Sequence, residues 1–396
     1  METVLTKALS RKVGKVKETE RAKLLKLAEG VEGLEIRLGR GDPDLETPEH
    51  ILQAGIEALR KGFTHYTHWA GMIELREAIS EKLRSDNGLQ YDPREEIVVT
   101  TGVQEGMFAV FQALLDQGDE VIIGDPHYTS YDGVVRYAGG KLVCVPTFES
   151  ENFVLQPKAI LEKITPKTKV IVVVTPNNPT AAVIPHDTLE EIARMAVKKN
   201  LIVISDEIYE KLIYDDYKHT SIASFPGMYE RTIVFNGFSK AYSMTGWRVG
   251  YFAAPADFVQ RMGPLKYEIT LCTNQAAQMA ALAALTGGDD LIKEIVKIYD
   301  ERRRFFMKAL DEMGLTYGYP AGTYYMFVNI QPTGRPAFDF CRDLLLEAKV
   351  QLFPGTTYGN VEGYVRISLT APIDKLKIAA ERMGNAVKRY VQGKNK

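Results

Sequence analysis

The feature that most constrains this chain is an alternation. Between about residues 95 and 255, short β-branched runs bounded by Gly, Pro or Asn take turns with longer stretches of helical pattern. The runs are Ile97 to Thr100, Val121 to Ile123, Val170 to Val174, Leu201 to Ile204, Ile233 to Phe235 and Val249 to Ala253, and Leu189 to Lys199 is a clear helix between two of them. Strands that are apolar along their whole length, rather than at every second position, are buried on both faces, as in a mainly parallel sheet covered by helices on both sides. The fold class is therefore α/β. With 396 residues, 45% of them hydrophobic, the chain is long enough for two domains.

After about residue 285 the pattern changes to a charged helix, Leu291 to Met313, short strands around Tyr324 to Val328 and Val365 to Ser368, and a closing helix from Ile373 to Tyr390. We therefore expect a large α/β domain with a mainly parallel sheet sandwiched by helices over 45–285, and a smaller α+β domain built from 1–44 and 286–396. The first 40 residues carry no core of their own, so they should pack on the smaller domain or on a partner subunit. The run Arg302-Arg303-Arg304 on the long helix reads as a solvated face.

Composition removes several function classes. Lys plus Arg number 49 against 51 Asp plus Glu, a net charge of −2, which leaves no basic field to hold nucleic acid or an anionic membrane surface. No apolar run approaches the roughly 20 residues needed to span a bilayer, and Met1 to Gly30 lacks the apolar core of a secretory signal. Cys144, Cys272 and Cys341 are scattered without paired spacing, which suits a reducing compartment. A soluble, cytoplasmic protein without nucleic-acid or membrane partners is expected. His65 and His68 have helix-compatible spacing but no third ligand nearby, so no metal site is assigned.

In an open α/β sheet, ligands bind beyond the carboxyl ends of the strands, so what each strand delivers there matters most. The strands deliver in turn Thr100-Thr101-Gly102-Val103-Gln104, Asp125-Pro126-His127-Tyr128, Thr175-Pro176-Asn177-Asn178-Pro179-Thr180, Ser205-Asp206-Glu207-Ile208-Tyr209 and Asn236-Gly237-Phe238-Ser239-Lys240. Gly102 to Gln104 is either a simple turn or a helix start whose free amides hold a phosphate, with Arg248 as a second clamp. Asp206, at the end of an aliphatic strand, is a helix cap, a salt-bridge partner, or the buried counter-charge of a cationic ring. Tyr209 falls one turn on if the segment is helical. Lys240 is a solvated surface group or, if desolvated, an amine able to form an imine with an aldehyde. Tyr128 packs or stacks on a ring, and Asn178 is a turn amide or a donor to a ring oxygen. His127 is equally open between a structural role and a contact with ligand, while Arg40 and Asp42 pair with each other or tune a substrate side chain.

Taken together and in this order, the set resembles the fold-type I enzymes that use pyridoxal 5'-phosphate (PLP), and among them the class I aspartate/aromatic aminotransferases. The stretch Ser239-Lys240-Ala241-Tyr242-Ser243-Met244-Thr245-Gly246-Trp247-Arg248-Val249-Gly250 is similar to that family's cofactor-lysine signature along its whole length. Asn177 to Thr180, Ser205 to Tyr209 and Tyr364 to Ser368 fall where the family places its other motifs, and the similarity runs from about Leu38 to the end. The resemblance implies a PLP-dependent transferase fold in which Lys240 holds the cofactor as a Schiff base and shuttles the proton. It implies Asp206 on the pyridine nitrogen, Asn178 and Tyr209 on the ring oxygen, and Tyr128 stacked on the ring. The Val103 and Gln104 amides, with Arg248, would hold the phosphate. Arg366, aided by Asn178 and the Gly39 backbone, would grip the substrate α-carboxylate, and Tyr66 would reach across a homodimer interface to the neighbouring phosphate.

Three positions depart from the family pattern. Gly237 stands where many relatives carry a phosphate-binding serine, leaving that role to Ser239 or a water. Ala181 replaces the usual glycine after Asn-Pro-Thr, and Gln104 stands where some dicarboxylate-specific relatives have lysine. The implied reaction moves an α-amino group between an L-amino acid and a 2-oxo acid. β-Elimination, aminocyclopropane-type cyclisation and decarboxylation remain alternatives on the same scaffold. A nicotinamide-binding protein would need Gly-x-Gly-x-x-Gly after a strand, which is lacking.

Overall fold

The computed structural model describes residues 3–10, 13, 18–288 and 290–393. Its centre is a seven-stranded sheet: β1 (Ile97–Thr100), β2 (Glu120–Asp125), β3 (Lys141–Pro146), β4 (Thr168–Val174), β5 (Ile202–Asp206), β6 (Thr232–Gly237) and β7 (Gly250–Ala253). The spatial order is β1-β7-β6-β5-β4-β2-β3. Neighbours from β6 through β3 pair in parallel, and β7 alone runs antiparallel to both its neighbours. Continuous apolar strands arise here because alternate residues feed different cores. Val170, Val172 and Val174 join one cluster with Phe111, Phe235 and Phe252, whereas Ile171 and Val173 join another with Leu189, Ile192 and Ala196.

Sequence reasoning did not anticipate β3. It is the edge strand: its apolar stretch Leu142 to Val145 lies between Lys141 and Pro146, both exposed, and only Val145 is fully buried.

The C-terminal part is an antiparallel sheet of β8 (Tyr325–Asn329), β9 (Phe353–Pro354) and β10 (Tyr364–Ser368), ordered β9-β10-β8. The helices Asp290–Met313, Ala337–Ala348 and Ile373–Gly393 accompany it. The N-terminal segment shares this core: Leu24, Ala28, Leu34, Ile36 and Leu38 pack with Phe306, Leu310, Leu344 and Val387. Among the described residues, no helix is long and apolar enough to cross a membrane.

The arginine run is not a solvated face. Arg302 and Arg303 are buried, at 5% and 1% exposure. Arg302 forks onto Asp44 at 2.6 and 2.9 Å and also donates to the Leu369 carbonyl. Arg303 donates to Asp300 and Asp215, both at 2.8 Å, and to the Pro320 carbonyl. Only Arg304 stays largely in water, and it too pairs with Asp215 and Asp300.

Candidate active site

The carboxyl ends of β1, β2, β4, β5 and β6 open onto one cavity of about 390 Å³. Gly39, Val103, Gln104, Tyr128, Asn178, Asp206, Tyr209, Ser239, Lys240, Arg248 and Arg366 all line it. Tyr66 does not: its ring is 82% exposed and borders a separate surface pocket with Leu59 and Cys272.

After β1 the chain turns at Gly102, φ 72°, into the helix Val103–Leu114. A Cβ on Gly102 would lie 2.5 Å from the Arg248 guanidinium, so the bare backbone is what lets that cation reach the helix start. Arg248 itself sits at φ 57°, a left-handed conformation that side chains other than glycine seldom adopt and that concentrates at functional positions. Unpaired amides and a guanidinium thus converge on one spot, an arrangement that suits a phosphate.

Asp206 ends β5 inside the protein. Burial pushes its carboxyl up to about 6, against the hydrogen bonds that favour ionisation. Tyr131 Oη donates to Oδ2 at 2.8 Å and the Ile208 amide to Oδ1 at 3.3 Å. Among the described residues no cation forms a salt bridge with it. The segment after Asp206 is a turn rather than a helix, closed by Glu210 N to the Glu207 carbonyl. Tyr209 nevertheless enters the cavity, its hydroxyl 3.0 Å from that of Tyr325.

Arg366, on β10, is the complementary case. It is buried between the rings of Tyr325 and Tyr358, at 4.2 and 4.4 Å from their centres. Its Nη1 donates to Asn178 Oδ1 at 2.9 Å and its Nη2 to the Gly39 carbonyl at 2.7 Å, while Nε has no partner. Neutral acceptors hold the fork in place but do not neutralise it. Lys240 lies between these charges, with Nζ 2.9 Å from the Gly41 carbonyl and near the rings of Tyr209 and Tyr324. Burial lowers its ammonium to about 8, with Arg366 and Arg248 pushing the same way and Asp42 opposing. The cavity therefore offers an unpaired anion, an unpaired forked cation, a phosphate cup and an amine that is readily deprotonated.

A family model described as aminotransferase class I and II matches residues 35–383. The chain belongs to the class I and II aminotransferases. This aminotransferase is 42% identical over 384 residues to the aromatic-amino-acid aminotransferase 2 of Thermococcus litoralis, covering 96% of this chain and 98% of that one. It is 44% identical to the aspartate aminotransferase of Pyrococcus abyssi, with 95% and 97% covered. The solved aromatic aminotransferase from Pyrococcus horikoshii OT3 superposes with a TM-score of 0.88 at 44% identity, over 92% of this chain and 99% of that one. The aminotransferase is PLP-dependent and transfers amino groups, as its family does. Its cavity suits that cofactor, since Asp206 lacks the cation that a protonated pyridine ring would supply and Lys240 is a desolvated amine.

Two departures from the family pattern have physical explanations. A Cβ on Gly237 would stand 2.9 Å from the Gly250 Cα on the adjacent strand, so a side chain there would force a shift, while Ser239, two residues on, lines the cavity. Ala181 keeps the left-handed backbone, φ 62°, that a glycine would adopt freely, at a strain of about 1–2 kcal/mol. Sequence reasoning missed Tyr131, which touches Asp206 from 75 positions away, and the cavity residues Arg21, Tyr325 and Tyr358. Nothing local marks them. His127 is buried, with Nε2 on Asp132, and does not line the cavity. Glu207, Glu210 and His219 lie close enough to share an ion, but Lys82 pairs with Glu210, and Ser205, Ser221 and His219 occupy the Glu207 oxygens.

Proposed function

We propose that Lys240 is the amine that carries PLP and the group that moves the substrate's Cα proton. The observation behind this reading is the pair of buried, uncompensated charges, Asp206 and Arg366, that share a cavity with a desolvated lysine. PLP, when bound, supplies an aldehyde carbon that links to amines and a protonated ring that draws electrons away from Cα. Asp206 keeps that ring nitrogen protonated. Asn178 and Tyr209 would hold the ring oxygen, Tyr128 would pack on the ring, and the Val103 and Gln104 amides, Ser239 and Arg248 would hold the phosphate.

Arg366 forks onto the substrate α-carboxylate, and its bonds to Asn178 and Gly39 fix the angle of approach. That orientation aims the Cα–H bond, rather than a bond to carboxylate, at Lys240 Nζ. An amine lowered to about 8 holds a useful free electron pair near neutral pH, so Nζ can take the proton and return it. Substrates are an L-amino acid and a 2-oxo acid, and the donors named for its relatives, aspartate and aromatic amino acids, are the first to screen. We place the division between domains at 45–285 against 1–44 with 286–396. We further place the protein in the cytoplasm, in keeping with three unpaired cysteines, as a homodimer in which Tyr66 completes the neighbouring phosphate site.

The test is direct. Protein reconstituted with PLP should be yellow, uptake should quicken as pH rises through about 8, and borohydride should fix the label on the peptide containing Lys240. Amino acid with 2-oxoglutarate should yield glutamate. A label on another residue defeats the assignment of Lys240, and ammonia or carbon dioxide released without glutamate favours elimination or decarboxylation.

A further inference from the structure

Beneath the phosphate cup lies a second, enclosed pair of charges that the reaction does not use. Lys266, on the helix Ala256–Thr270, is 0% exposed, and its ammonium sits 3.4 Å from Glu105 Oε1. Thr270 completes the group, accepting from Lys266 Nζ at 3.2 Å and donating to Glu105 Oε1 at 2.6 Å. The other oxygen of Glu105 accepts the amide of Thr101. Glu105 thus lies in the first turn of the helix Val103–Leu114, the same turn whose Val103 and Gln104 line the cavity, and it ties down the residue just before Gly102.

That position creates a conflict. A carboxylate in a first turn suits the helix dipole and satisfies a free amide. Its negative charge would also oppose a phosphate held at the same helix turn, and in a buried setting water screens that repulsion poorly. Stability alone does not account for the lysine either, because a fully buried ion pair is commonly no better for the fold than an apolar pair of similar size.

We infer that Lys266 is a positioning residue for the cofactor phosphate. Its enclosed ammonium cancels the Glu105 charge, so that Glu105 anchors Thr101 and shapes the cup without repelling what the cup holds. The inference rests on the phosphate reading of Val103, Gln104 and Arg248.

The experiment compares apo protein titrated with PLP and with pyridoxal, which lacks the phosphate, in Lys266→Met, Glu105→Gln, the double variant and Arg248→Gln. Unfolding midpoints are measured alongside. Lys266→Met should weaken PLP roughly tenfold, the effect of about 1.4 kcal/mol, and leave pyridoxal unchanged. Glu105→Gln should hold PLP as tightly as the wild type or more so, even though its midpoint falls. The double variant should return to within about threefold of the wild type, as cancelling charges require. If Lys266→Met weakens both ligands alike, or Glu105→Gln loses PLP as Lys266→Met does, the pair is merely structural and the inference is overturned. Should Lys266→Met fail to fold, Glu105→Gln decides alone, and a lowered preference for PLP over pyridoxal refutes it. If Arg248→Gln leaves PLP affinity unchanged, the cup reading itself falls. If Arg248→Gln weakens PLP while Lys266→Met does not, only the role of Lys266 falls.

Discussion

Tyr131 reaches Asp206 without itself lining the cavity, and its hydroxyl is one of only two donors the carboxylate has in the described residues. A hydrogen bond to a charged group contributes roughly 1.5–3 kcal/mol, so Tyr131→Phe should weaken PLP binding by about tenfold or more. It should also push the Asp206 carboxyl further up from about 6, because a donor that favours the ionised form is gone. The acid limb of PLP binding then moves to higher pH, which a titration of apo protein across pH 5 to 8 would read; an unmoved limb would mean the hydroxyl does not tune Asp206. At this scale the contiguous motif from Ser239 to Gly250 was legible, since neighbours in sequence stay neighbours in the turn after β6. Tyr131 was not, because a contact across 75 positions leaves no local trace. The Gly41 carbonyl that holds Lys240 was equally hidden, being backbone.

Among the elements, the central parallel strands were legible because burial on both faces writes a continuous apolar run, whereas β3, at the sheet edge, was passed over although Leu142 to Val145 is apolar. The helix Asp290–Met313 was found, but its arginines were misplaced. A run of charge says nothing about partners such as Asp44, 258 positions from Arg302. Arg303 is the more enclosed of the two, at 1% exposure, and it serves Asp215 and Asp300 together. Stripping one partner from a buried ion pair costs about 3–5 kcal/mol. Asp215 and Asp300 keep Arg304, so Arg303→Met should lower the unfolding free energy by about 3 kcal/mol. Urea denaturation would show this, and a loss below about 1 kcal/mol would indicate that the exposed partners are served well enough by water.

For the whole molecule, the outstanding feature is Tyr66, an 82% exposed residue on a chain whose other proposed cofactor and substrate residues line one cavity. The proposed homodimer gives that ring a site to enter. Light scattering should therefore give about twice the 44.3 kDa chain mass, and Tyr66→Phe should weaken PLP retention several-fold without changing the mass. Monomers with full PLP affinity would rule the arrangement out. The α/β sandwich and its companion α+β part could be read from pattern alone, and the lack of a core in the first 40 residues pointed to the smaller domain or a partner. Leu24, Ala28 and Leu34 pack in the former, but they are too few to show a period, so which of the two was not legible.

Arg302 and Arg303 are consecutive, so they project about 100° apart around their helix, one toward Asp44, two residues after the cavity-lining Asp42, and the other toward Asp215. Inserting or deleting a single residue upstream in that helix would swing each guanidinium onto the wrong neighbour. The helix thus works as a key cut to one length, and lineages of this enzyme should tolerate substitution along its outer side far more readily than any change in its residue count before position 302.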